Sequence, residues 1–270
     1  MKASVVIPTK NGGSLFVRVL EALQQQKTPW NYEILVVDSY STDRTLDICR
    51  EYNARTIQHE YINSAIQKNW AIPQAEHEWI LLLDSDEELE AGFAEEILNE
   101  LSNVPNNIDG YRCARKNLIY GKWVKTCGYY PDYQERLFRK KCRYIEREVH
   151  ARVNIAPERK GQLTHDIIHH DMPDLQKYWA KFPRYMKYEL DQLIKEGRRF
   201  RFREITLRPL YMFCWSYFYK QGLREGIRGF LLSVLTAYYN FSMYMKLWEH
   251  QRGKAGLDKG RKKQGGEQNK

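Results

Sequence analysis

Trp79-Ile80-Leu81-Leu82-Leu83-Asp84-Ser85-Asp86 (WILLLDSD) is the stretch on which the fold turns. Five apolar residues in a row, followed at once by two carboxylates, fit a buried central strand of a parallel sheet with its acids at the carboxyl end. Ligands of open α/β sheets gather beyond that end of the strands. Two acids one residue apart, Asp84 and Asp86, can share one divalent cation. Mg²⁺ or Mn²⁺ held by one or two carboxylates completes its shell with water and substrate phosphates, so the implied substrate is a nucleoside diphosphate derivative. The competing reading is a solvated acidic turn, because Glu87, Glu88 and Glu90 follow directly.

Upstream, Ala3 to Pro8 (ASVVIP) reads as a strand running into the turn cluster Thr9, Lys10, Asn11, Gly12, Gly13. A helix follows, with Phe16, Val19, Leu20 and Leu23 on one face and Pro29 beyond its end. A second strand, Glu33 to Val37, ends at Asp38; Ser39 to Asp43 can cap a helix over Arg44 to Tyr52. Thr56 to His59 and Asn63 to Gln74 supply a third strand and helix, and Ala91 to Leu101 a fourth helix. Strands alternating with helices predict an α/β fold with a Rossmann-like, mostly parallel, doubly wound sheet. After Pro105 the pattern turns to strand-like pieces at Gly110 to Arg115, Glu135 to Arg139 and Gln162 to Ile168. Helices then follow at Asp174 to Glu196, Thr206 to Gln221 and Glu225 to His250. The expected organisation is an α/β domain over residues 1–172, divided into halves 1–104 and 105–172. A C-terminal helical extension over 173–250 and a disordered basic tail over 251–270 complete it.

Of 270 residues, 43% are hydrophobic and 13% aromatic, which excludes a disordered chain, while mean hydropathy is −0.68. The formal net charge of +9 is uneven: residues 1–180 carry −3 and residues 181–270 carry +12. That asymmetry suggests an anionic partner for the last third of the chain, although the tail from residue 251 alone holds +5. Five cysteines without a close CxxC pair indicate neither a zinc knuckle nor a disulfide framework, and reduced thiols in a cytoplasmic setting fit best. The N-terminus enters a strand without the apolar stretch of a signal peptide.

The three strand ends converge in sequence motifs: SVVIPTKNG from Ser4, EILVVDSYSTDRT from Glu33 and WILLLDSDEEL from Trp79. In that order they resemble the family 2 glycosyltransferases and their GT-A fold. The stretches PDYQERLFRK, REVH, LRPLYMF, GIRGFLLSVLTAYY and YMKLWE extend the likeness to about residue 250. They resemble the subgroup that includes lipopolysaccharide core glucosyltransferases of the WaaE/KdtX kind. The resemblance implies a nucleotide-sugar donor, UDP- or ADP-linked, and a glycolipid or saccharide acceptor in cell-surface glycan synthesis. It implies an inverting single displacement, with Pro8, Thr9, Asn11 and Asp38 at the nucleoside. Asp84, Ser85 and Asp86 would then hold the ribose, diphosphate and metal.

Such a displacement needs a cation for the charge growing on the leaving diphosphate and a base for the acceptor hydroxyl. Asp132 is the preferred base by chemical type, with Glu135 and His150 behind it; Ala151 stands where members of the subgroup often carry Glu, which weakens the motif at His150. Among His165, His169 and His170, His169 is the choice for a further metal ligand or a phosphate contact, and Arg136 and Arg139 are candidates for phosphate. Gly229 to Met245 runs seventeen residues without a charge and Pro209 to Tyr219 eleven, both between Arg and Lys and rich in Tyr and Trp. Helices of that composition lie in the headgroup layer of an anionic membrane surface, here the inner face of the cell membrane, rather than across it. A sugar-phosphate nucleotidyltransferase would need a Gly-rich phosphate loop, and Gly12 and Gly13 are too few. A catalytically inactive basic scaffold binding membrane or RNA, through Arg198 to Arg203, is the non-enzyme alternative.

Overall fold

The computed structural model describes residues 2–28, 30–146 and 151–266, with side chains to residue 253. The chain forms two compact units, residues 1–123 with 129–173, and residues 124–128 with 174–270.

The first unit begins with the alternating elements that the sequence pattern requires. These are β1 (Lys2–Thr9), α1 (Gly13–Gln24), β2 (Asn31–Asp38), α2 (Thr45–Glu51), β3 (Arg55–Gln58), α3 (Ser64–Ala71) and β4 (Trp79–Leu82). The Asn63 side chain caps α3 by accepting from Ile66 N at 2.9 Å. Next come β5 (Glu87–Leu89), α4 (Phe93–Ser102), β6 (Gly110–Ile119), β7 (Lys122–Trp123), β8 (Asp132–Arg139), β9 (Lys160–Gln162) and β10 (Ile167–Met172). All join one sheet in the order β3-β2-β1-β4-β8-β6-β10-β5, with β7 and β9 on β6. β3, β2, β1 and β4 are mutually parallel; β8 then runs antiparallel to β4 and β6 antiparallel to β8.

Strand alternation divides the buried side chains between two faces. Val5, Ile7, Leu81 and Leu83 pack with Phe16, Leu20 and Leu23 of α1 and Ile97 of α4. Val6, Ile80 and Leu82 pack with Leu35, Val37, Ala65, Ile72 and Phe138. Both faces of the central strands are therefore dry, which explains their continuous apolar runs.

Four details differ from the sequence reading. Glu87–Leu89, within the stretch whose competing reading is a solvated acidic turn, is a strand antiparallel to β10, with Glu87 and Leu89 buried. β8 starts at Asp132 rather than at Glu135. The strand expected over 162–168 is divided into β9 and β10, because Glu96 draws off the Thr164 and His165 amides at 2.6 and 3.0 Å and interrupts the ladder. Finally, the helix that begins at Ile227 continues through Gly266, into the tail for which composition predicts disorder.

The second unit is helical: α5 (Leu175–Lys195), capped by Asp174 accepting from Lys177 N, α6 (Arg203–Cys214) and α7 (Ile227–Gly266). α6 passes into a π-helical turn at Trp215–Tyr219. Met186 and Leu193 of α5 pack on Met243, Tyr244 and Leu247 of α7. Residues 124–128 belong here because the Lys125 and Thr126 amides donate to Glu225 Oε1 and Cys127 N donates to Lys220 O. Among the described residues no helix is long and apolar enough to cross a membrane.

At the start of α7, a Cβ on Gly229 would lie 1.8 Å from the Gly222 carbonyl oxygen. Helix propensity favours Gly229→Ala by about 1 kcal/mol, but the contact is with backbone and overpacking of that kind costs typically 1–3 kcal/mol or more. Urea denaturation of Gly229→Ala is expected to give a net loss of about 1 kcal/mol or greater; a stabilised variant would contradict this packing.

Candidate active site

Parallel pairing brings the ends of β1, β2 and β4 together: Thr9 is opposite Asp38 and Val6 is opposite both Leu35 and Leu82. The loop after β1 turns on Asn11 (φ +51°) and Gly13 (φ +57°), left-handed positions that Asn and Gly tolerate best. It is joined to the loop after β2. Asn11 N donates to Ser41 Oγ at 2.8 Å, Thr42 N donates to Asn11 Oδ1 at 2.8 Å, and Gly12 N donates to Thr45 Oγ1 at 2.9 Å. Thr9 Oγ1 is buried with no hydrogen-bond partner among the described residues, an unspent polar atom at the strand end. Pro8 beside it is half-buried, as is Ser85.

Asp38, expected at the nucleoside, is fully buried. Its carboxylate accepts from Ser41 N at 3.0 Å and Gln58 Nε2 at 3.1 Å, so it shapes the loop and has no surface to offer a ligand. Asp84, expected at the metal, has both oxygens on cations: Oδ1 is 2.8 Å from Lys68 Nζ and Oδ2 2.7 Å from an Arg136 Nη. Burial pushes the Asp84 carboxyl up, but Arg136 and Lys68 outweigh it and hold it well below the usual carboxylate range.

Arg136 is itself buried and bonds Glu87 as well as Asp84. In this structure its guanidinium is engaged by the two carboxylates of the site's interior. Arg139 likewise stacks over Trp79 at 4.7 Å and pairs with Asp109. Glu87 is fully buried, accepts the Asp84 amide at 3.1 Å and pairs with Arg115 at 3.2 Å.

Arg115 continues the chain of charges to Asp132, with Nε at 2.9 Å and an Nη at 2.5 Å from Oδ2. Asp132 Oδ1 accepts from Gln134 at 2.8 Å. Burial raises the Asp132 pKa, but Arg115, Gln134 and Asn117 lower it further, so the group is ionised near neutrality. Glu135, placed behind Asp132 from the sequence, lies on the other face of β8 and pairs with Lys160 at 2.8 Å. His150 lies outside the described residues.

The second acid, Asp86, faces His169. His169 Nε2 and Asp86 Oδ1 are 3.7 Å apart, and His170 N donates to the Asp86 carbonyl at 3.0 Å, tying β10 to the acidic turn. The His169 Nδ1 is 2.6 Å from Asn117 Oδ1. Burial lowers the His169 pKa more than Asp86 raises it. The other two histidines are engaged elsewhere, His165 with Glu96 at 2.9 Å and His170 with Glu88 at 2.6 Å. Among the described residues no group of three or more His, Cys, Asp and Glu could hold a metal alone. One carboxylate and one imidazole nitrogen suit a Mg²⁺- or Mn²⁺-like ion whose other positions go to diphosphate and water.

Lys68, Glu87, Arg115 and Asn117 were not legible as site residues. The signal for two of them was the period-2 spacing of Arg115 and Asn117 on β6, which pairing sets opposite Asp132 and His169.

The family model for glycosyl transferase family 2 matches residues 4–152. A curated relative, the lipopolysaccharide core biosynthesis glycosyltransferase LpsC of Rhizobium meliloti, is 29% identical over 239 residues, covering 83% of this chain and 85% of the relative. Two solved structures share the fold. The mannosyltransferase PcManGT of Pyrobaculum calidifontis, in complex with GDP-Man and Mn²⁺, has a TM-score of 0.52 at 13% identity, covering 91% of this chain and 86% of its own. Glucosyl-3-phosphoglycerate synthase of Mycobacterium tuberculosis, with Mn²⁺, UDP and glucosyl-3-phosphoglycerate, has 0.52 at 14%, covering 73% and 81%.

Arg136→Met leaves Asp84 and Glu87 without their shared cation, and removing one partner of a buried pair costs about 3–5 kcal/mol. Because the folded pKa of Asp84 is depressed, its contribution is present above the unfolded value of about 3.9 and is lost as pH falls below it. Urea titrations at pH 7 and at stepwise lower pH are expected to show the full loss at pH 7 and a shallower acid slope in the variant. Identical acid slopes would refute this assignment.

Proposed function

The chain belongs to glycosyl transferase family 2, and from that premise we propose that it is a metal-dependent, inverting enzyme moving a sugar from a nucleotide donor to a glycolipid or saccharide acceptor of the cell surface. The observation that carries this reading is the pair of Asp86 and His169, a carboxylate and an imidazole facing each other across 3.7 Å beyond the parallel strands. A divalent cation bound there supplies stabilisation for the negative charge that grows on the leaving diphosphate.

The remaining steps fall to the chain's own residues. Asn11 and the joined loops after β1 and β2 present backbone and polar side-chain groups to the nucleoside, with Pro8 and the buried Thr9 fixing the strand end. Asp38 acts one layer below, by holding the Ser41 amide and Gln58. Asp84 keeps Lys68 and Arg136 in place, while Ser85 and Asp86 meet the ribose and diphosphate. Asp132 takes the proton of the attacking hydroxyl at Oδ1, where Gln134 donates and further lone-pair capacity remains. Its ion pair with Arg115 makes it a ready but weak base, suited to a single displacement in which the leaving group supplies most of the driving force. The likeness to LpsC supports an acceptor in lipopolysaccharide core or a related surface glycan.

An acceptor of that kind is met at a membrane, and the second unit carries a suitable surface. Leu207, Leu210, Tyr211 and Phe218 form an exposed stripe on α6 and its π turn; Ile227, Phe230, Val234 and Tyr238 form another along α7. Arg224 and Lys220 lie between the two stripes in sequence. Apolar stripes beside cations fit the headgroup layer of an anionic bilayer, so residues 173–250 form a peripheral anchor at the inner face of the cell membrane.

Purified protein incubated with UDP-, GDP-, TDP- and ADP-sugars is expected to turn over one donor with Mn²⁺, to stop with EDTA, and to lose at least about 100-fold of its rate in Asp86→Ala. A folded protein that binds no nucleotide sugar in the presence of metal would overturn the reading. For the anchor, sedimentation with anionic vesicles is expected for the parent chain and is weakened in Phe218→Asp/Ile227→Asp. Equal recovery of both proteins would remove the stripes from the account.

A further inference from the structure

Asn117 is buried on β6 and contributes three hydrogen bonds at the centre of the site. Its Nδ2 donates to the Tyr129 carbonyl oxygen at 3.0 Å and to Asp132 Oδ2 at 3.3 Å; its Oδ1 faces His169 Nδ1 at 2.6 Å. The amide has one chemically consistent orientation. Both groups on the Nδ2 side are oxygen acceptors, so turning the amide over would set its oxygen against a carbonyl and a carboxylate and lose two bonds in a dry site. The oxygen must therefore face His169, and an acceptor at 2.6 Å requires the imidazole proton to sit on Nδ1. A neutral ring with its proton on Nδ1 carries its lone pair on Nε2, the nitrogen that looks across 3.7 Å to Asp86. That distance is too long for a hydrogen bond, as expected of two facing acceptors.

We propose that Asn117 is the positioning residue that fixes His169 in the Nδ1–H tautomer, so that its Nε2 lone pair and Asp86 are held ready as a paired donor set for a divalent cation. The proposal deepens the functional reading and rests on it for the identity of the ligand. The tautomer itself follows from hydrogen bonds within this chain. The same amide touches Asp132 Oδ2, the oxygen that Arg115 also holds. One side chain thus sets the direction of the imidazole and steadies the carboxylate assigned to the acceptor proton. Positioning groups of this kind are worth about 10–100-fold in metal affinity.

Two substitutions separate the tasks. Asn117→Leu removes acceptor and donor together. Asn117→Asp keeps an oxygen for the Nδ1–H while losing the donor to Tyr129 and Asp132. The first measurement needs neither metal nor donor: two-bond ¹H–¹⁵N spectra of protein labelled with ¹⁵N-histidine at neutral pH, the His169 signal assigned by its absence in His169→Gln. The parent chain is expected to show a protonated Nδ1 and an unprotonated Nε2, and Asn117→Asp the same pattern. Asn117→Leu is expected to lose it, with the proton moving to Nε2. The second measurement is Mn²⁺ affinity by paramagnetic relaxation, expected to fall about 10–100-fold in Asn117→Leu and to be largely restored in Asn117→Asp. A protonated Nε2 or a doubly protonated ring in the parent chain overturns the proposal, as does unchanged Mn²⁺ affinity in a folded Asn117→Leu. Should the parent chain show the Nδ1–H form yet bind no Mn²⁺, the metal-dependent reading fails while the positioning of the ring stands. That result would overturn the proposed metal role.

Discussion

The carboxyl edge of the sheet depends on a chain of paired charges, buried at Lys68, Arg136 and Glu87 and partly exposed at Asp84, Arg115 and Asp132, that runs from Lys68 through Asp84, Arg136, Glu87 and Arg115 to Asp132. These groups arrive from α3, the turn after β4, β5, β6 and β8, so the chain joins elements far apart in sequence. Placing charges in a dry site is costly unless each is paired and its hydrogen bonds are met. The sheet order solves this by setting β8 directly against β4 and β6 against β8, which puts Arg136 and Arg115 within reach of the acidic turn. Backbone register and electrostatics therefore constrain each other: a one-residue slip of β8 would turn Arg136 to the opposite face, taking one cation from Asp84 and leaving Glu87 with Arg115 alone.

How legible this was in sequence follows from which interactions are local. The βα alternation, the central strands and the convergence of Thr9, Asp38 and Asp84 at one edge could be read directly, since apolar period and turn residues report them. Asp86 and His169 could be named as candidates, and they do face each other. Asp84 and Asp38 stand at that edge, where their carboxylates meet Lys68, Arg136, the Ser41 amide and Gln58. A motif reports where a carboxylate stands and is silent on which cation the fold brings to it. Arg136 illustrates the same limit, because a guanidinium on a strand reads equally as a phosphate fork, a solvated side chain or a buried counter-ion, and only the pairing with β4 decides. Glu87 was the hardest to see. Within Asp-Glu-Glu-Leu-Glu it looks like one more surface acid, and its complete burial depends on β10 and β6, about thirty to eighty residues downstream.

The helical unit shows the converse. Composition already marked its basic, aromatic character, and the structure adds the arrangement: exposed apolar positions recur at helical spacing on α6 and α7, while Met243, Tyr244 and Leu247 turn inward. A helix apolar on two faces has an inner face satisfied by its own unit and an outer face that water does not favour.

On the proposed reading, the charge inventory of the site favours a cation at Asp86 over one at Asp84. Lys68, Arg136 and Arg115 supply three positive charges, and Asp84, Glu87 and Asp132 supply three negative ones, so the internal chain is balanced. A dication at Asp84 would have to displace Lys68 and Arg136 and leave both buried beside it. At the edge of the chain, Asp86 faces an imidazole whose burial keeps it neutral. There a carboxylate and an imidazole nitrogen face each other across 3.7 Å. On the proposed reading, the balanced interior leaves metal and phosphate the Asp86 side of the acidic turn.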